Sequence, residues 1–96
     1  MTKEEIYEKL KDHANYCIKD SNISQVESRA FLGIYNCLNI NAFNIAFGHI
    51  VKEYCTEAIS YLNEIGDKEA KRKAKLLCEA MRYYDELCAE KVTLVY

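Results

Sequence analysis

The chain has no proline and no tryptophan, and only three glycines, Gly33, Gly48 and Gly66. Proline removes a backbone donor and clashes with the preceding turn, so a 96-residue chain without one suits a nearly all-helical fold. Metal-type cysteine spacing is missing too. The five cysteines (Cys17, Cys37, Cys55, Cys78, Cys88) lie far apart, odd in number, with no C-x-x-C pair. Free thiols in a reducing cytosol look like this; disulfide frameworks and zinc ribbons do not. No apolar run follows the charged opening Thr2-Lys3-Glu4-Glu5, so no signal peptide is expected and the expected location is the cytoplasm. The net charge of −2 and pI near 5.7 argue against a generic nucleic-acid or membrane binder, which is usually basic overall.

Charge is missing from one long stretch. Residues 30–51 contain no Asp, Glu, Lys or Arg and hold all three phenylalanines, although 29% of the chain is charged. Asn36, Asn39, Asn41, Asn44 and His49 interrupt this run. Each would be costly in hydrocarbon, which favours a buried helical hairpin over a membrane span. Half of all residues are apolar, enough for one domain, residues 1–96, to bury a core without staples.

Local signals place four helices, at about 2–20, 24–38, 41–65 and 67–89. Thr2 with Glu5 and Ser24 with Glu27 form capping boxes that open the first two. Ile6, Leu10, Ala14, Cys17 and Ile18 share one face of the first helix; Val26, Ala30, Ile34, Cys37 and Leu38 share one face of the second. Asn39 is expected to close helix two in a left-handed conformation and Asn41 to open helix three, the alternative being one continuous helix from Ser24 to Ile65. Helix three is expected to turn Phe43, Phe47, Ile50, Tyr54, Ala58 and Ile65 inward, with Ala42, Ile45, Ala46 and His49 making its first half the most buried piece. Gly66 and Asp67 read as a C-cap and the next N-cap. Ala70, Ala74, Leu77, Met81, Tyr84 and Cys88 then recur as an a/d seam. Val92 to Tyr96 are uncharged and rich in β-branched residues, which reads as a strand-like tail. The expected architecture is an all-α, antiparallel four-helix bundle with a short extended C-terminal tail.

Chemistry is sparse in this sequence. His13 with Cys17 and His49 with Glu53 are i,i+4 pairs that could in principle meet over zinc, but neither spacing is a metal motif, and no metal or other cofactor is expected. No nucleophile elbow, glycine-rich phosphate loop or H-E-x-x-H occurs, and most thiols are expected inside, so an enzyme is not expected. The informative surface feature is the basic run Lys68, Lys71, Arg72, Lys73, Lys75 at the start of helix four. The helix dipole already places positive charge there, so cations at this end do not serve stability. Lys68, Arg72, Lys75 and Arg82 share an outer stripe. Eight tyrosines are many for this length, and Tyr83 borders that stripe.

The expected function is a small non-catalytic cytosolic protein that binds a larger protein or nucleoprotein with an acidic surface through Lys68, Lys71, Arg72, Lys75, Arg82 and Tyr83. A regulator or inhibitor fits this reading, and the residue bias suits an AT-rich bacterial or phage genome. Two alternatives stand beside it. One is a nucleic-acid-binding regulator using the same cations; the other is a self-assembling protein, such as a homodimer. No membrane association is expected.

Overall fold

The computed structural model describes residues 2–20, 22–39 and 45–95, with 45–46 and 90–95 described by backbone alone. Among these residues there are four helices: α1 (Lys3–Lys19), α2 (Gln25–Leu38), α3 (Ile45–Ile65) and α4 (Lys68–Val95). They form an all-α bundle. Helices α2 and α3 are therefore separate, and the single-helix alternative is excluded.

Helix ends follow local side-chain hydrogen bonding. Thr2 Oγ1 accepts from Glu5 N at 3.1 Å, and Ser24 Oγ accepts from Glu27 N at 3.2 Å. Gly66 takes a φ of +73°, and its N–H donates to the Leu62 carbonyl, closing α3. Asp67 Oδ1 then accepts from Ala70 N at 2.7 Å, opening α4 only two residues later. Asn39 departs from expectation: its φ of −71° and ψ of 122° are extended, and its N–H donates to the Asn36 carbonyl. The expected cap at Asn41 and the inward Phe43 lie outside the described residues.

Neighbouring helices run antiparallel. On α1 and α2, Tyr7 meets Tyr35 while His13 meets Phe31. On α2 and α3, the Cβ position of Gly33 faces Val51 and Ala30 faces Cys55. Helices α2 and α4 touch across the middle, whereas among the described residues α1 and α3 do not meet. The core is built from Leu10, Phe31, Ile34, Val51, Leu62, Leu77 and Tyr84, with alanines and cysteines filling the closest approaches.

Two expectations about faces and one about the tail are corrected. First, α3 is rotated from the expected register. Gly48, Val51, Cys55, Ala58 and Leu62 face inward, while Phe47, Ile50, Tyr61 and Ile65 are 43, 48, 37 and 50% exposed. The cause is close packing. A methyl group on Gly33 would already lie 3.0 Å from Val51, and the Tyr84 phenol occupies the space beside Gly48. Helices this close must meet through small residues, so the bulky ones turn outward. His49 is exposed as well, and the described start of α3 is not its most buried part. Second, Ile18 is 71% exposed, at the end of α1 where the core has ended. Third, the expected extended tail is helical: α4 continues to Val95. Intrahelical bonds satisfy the backbone there, which outweighs a weak strand preference with no strand beside it.

Candidate functional site

The first turns of α4 deliver the cations to three different places. Lys73 turns inward and donates to Glu27 Oε1 at 2.8 Å, its side chain only 19% exposed. Arg72 is held by Glu69, the carboxylate one turn earlier, and that contact lowers the Glu69 pKa. Lys68, Lys71 and Lys75 stay exposed, as does Arg82 two turns further on. Among the described residues none of these four has a carboxylate within ion-pair distance. At 100° per residue they lie within roughly 60° of one another around the helix. Lys9 of α1 lines a small surface hollow with Arg72, Lys75 and Leu76, which widens the positive surface on the α1 side.

Tyr83 lies at the Arg82 end of the stripe, where the two residues line one hollow with Glu79 and Lys3. It is half-buried, with Lys3 of α1 above its ring at 5.4 Å, and Lys3 is also paired with Glu86 at 3.1 Å. Tyr83, Tyr7, Leu38 and Asn39 line an open depression of about 480 Å³ at that end of the bundle. The six sequence-derived positions thus divide. Lys68, Lys71 and Lys75 with Arg82 form one stripe, Arg72 is engaged beside it, and Tyr83 meets the stripe through the hollow it shares with Arg82.

The feature sequence reasoning missed is Glu27. It is the one buried charged residue among those described, at 7% exposure. Its backbone N–H makes the expected cap to Ser24, but its carboxylate turns into the bundle. There Glu27 Oε1 accepts from His13 Nε2 at 3.0 Å as well as from Lys73. The His13 ring rests edge-on against Phe31, with centroids 4.0 Å apart. Burial lowers the His13 pKa, opposed by the Glu27 hydrogen bond, so the ring is neutral near pH 7. A carboxylate only accepts, which places the proton of that neutral ring on Nε2. The signal was present in the sequence: Glu27 precedes Ala30 and Ile34 by three and seven residues, on the apolar face of its helix.

His13 is therefore committed to Glu27 rather than to Cys17, and His49 is exposed on α3. Among the described residues no three His, Cys, Asp or Glu side chains gather as metal ligands would. Burial raises the thiol pKa of Cys17 and Cys37 to about 11 and of Cys55 to about 12, which keeps these thiols protonated and weakly nucleophilic. None of the described helices is long and apolar enough to cross a membrane. Compared with protein-family models, curated proteins and solved structures, the chain matches none of them.

Proposed function

We propose that this chain is a small non-catalytic binding protein, a regulator or inhibitor, whose basic stripe on α4 engages an acidic surface of a larger protein. The supporting observation is the exposure of Lys68, Lys71, Lys75 and Arg82 on one stripe with no carboxylate in ion-pair reach among the described residues. Cations in the first turn of a helix oppose its dipole by about 0.3–1 kcal/mol each, so folding gains nothing from Lys68 and Lys71. Four like charges held together on a rigid helix attract an acidic partner and speed encounter with it. Its five free cysteines suit a reducing compartment, and the cytoplasm is the location we propose.

The test is capture by tagged chain from host lysate, with and without nuclease, beside the variant Lys68→Glu, Lys71→Glu, Lys75→Glu. Acids at a helix N-terminus complement the dipole, so this variant should fold at least as well as the parent. A protein retained after nuclease and lost in the variant is the expected result. Capture abolished by nuclease would instead support nucleic-acid binding, and identical capture by both chains would remove the stripe from the function.

A further inference from the structure

The flank of α3 that faces away from the core carries a second surface of opposite character. Ile50, Tyr54, Tyr61 and Ile65 recur at steps of four, seven and four residues, and Phe47 extends the line by a turn. At 1.5 Å per residue the stripe from Phe47 to Ile65 is about 27 Å long. Arg29 of α2 stacks on the Tyr54 ring at 4.6 Å and pairs with Glu57 at 2.9 Å, which places the stripe along the α2 side of α3. With Phe47, Ile50, Tyr61 and Ile65 each about 40–50% exposed, the apolar area amounts to roughly 350 Å². A patch this size matches the largest on a typical monomer, which often has a function.

We propose that this face docks a basic amphipathic helix of another protein. The partner's apolar residues would lie on Ile50, Tyr61 and Ile65, and its lysines or arginines against Glu53 and Glu64. Charge complementarity selects this occupant. Glu53 and Glu64 are exposed and, among the described residues, have no cation within ion-pair distance. Eleven residues apart, they mark about 16 Å along the helix, three turns of a partner. The only lysine of α3, Lys52, points to the other flank and is bound to Asp85 at 2.6 Å. A second copy docked through α3 would set glutamates against glutamates. The chain's own α4 cannot supply the other half either: among the described residues it carries no large exposed apolar side chain beside its lysines, the nearest being Tyr16 of α1, which lines a hollow with Arg72 and Lys73. This inference rests on α3 alone and stands or falls separately from the basic stripe of α4.

The probe is a fluorescein-labelled peptide of about 18 residues, with leucines at i, i+3, i+4 and i+7 and lysines elsewhere. A sister peptide carries glutamate in place of every lysine. Anisotropy with the whole chain should show binding of the leucine–lysine peptide at least about tenfold tighter than its sister. Ile50→Ser with Ile65→Ser should weaken that binding at least about tenfold, with an unchanged circular dichroism spectrum because both residues are exposed. Glu53→Lys with Glu64→Lys should shift preference toward the glutamate peptide. No binding of the lysine peptide, equal binding of both peptides, or insensitivity to the isoleucine pair would overturn the proposal. So would a dimer in analytical ultracentrifugation that the isoleucine variant dissolves, since a second copy would then be the occupant.

Discussion

Replacing Lys73 by methionine tests the account of the buried Glu27 most sharply. Lys73 supplies the one full positive charge at Glu27 Oε1, because His13, the other donor, is neutral near pH 7. Methionine keeps the side-chain length and apolar stem but leaves a carboxylate that is 9% exposed without a cation. Removing one partner of a buried pair costs about 3–5 kcal/mol, and retention of the His13 bond with partial exposure of Lys73 reduces this to about 2–3 kcal/mol. For a domain of this size that corresponds to a fall in Tm of roughly 10–20 °C. The loss should also depend on pH. Lys73 is among the charges that hold the His13 pKa down, so the variant's His13 takes up a proton more readily. At about pH 8 the full loss should appear, whereas at an acidic pH where His13 takes up a proton the imidazolium stands in for the missing cation and the loss should be smaller. Urea unfolding followed by circular dichroism at the two pH values measures both. Lys68→Met, on the exposed stripe, is the control and should stay within about 0.5 kcal/mol of the parent. An equal loss at both pH values, or a loss below about 1 kcal/mol at the higher one, would refute the ion-pair account.

Other consequences follow from the same packing. The parent should lose stability as pH falls through the ordinary histidine value of about 6.5, because the unfolded chain then protonates His13 before the folded chain does; the unfolding free energy measured across that range should decline and then level off. Gly48→Ala should destabilise by about 1–3 kcal/mol, since a methyl would overlap the buried Tyr84 phenol, whereas Gly33→Ala meets only the Val51 methyls and should stay within about 1 kcal/mol in thermal melts. Asp67→Ala should cost about 0.5–2 kcal/mol through loss of the cap to Ala70, with the first turn of α4 gaining hydrogen exchange. Alkylation followed by mass spectrometry should modify exposed Cys78 first, and modification of Cys55 ahead of it would contradict the packing of α2 on α3.

The candidate surfaces were unequally legible. The cations of α4 stood out because their position at a helix N-terminus is a one-dimensional fact. Which of them remain on the surface was not, since Lys73 reaches Glu27 across 46 residues of sequence. Tyr83 shares a hollow with Arg82, but the cation above its ring is Lys3 of α1, which no spacing along α4 reveals. The α3 stripe reads as core from sequence because apolar size and helical spacing carry no sign for inside or outside once both faces are apolar.

By itself the sequence determined the four helices seen among the described residues and most of their ends, though not the end of α4. Thr2, Ser24, Gly66 and Asp67 each act on backbone groups no more than four residues away, so no distant contact was needed to read them. Tertiary structure decided the rotation of α3 about its axis and the inward turn of Glu27 and Lys73. The ends of a helix are set by hydrogen bonds made within a turn. Its rotation is set by how closely its neighbours approach, and here Gly33 and Gly48 let them come close enough to push the large side chains out.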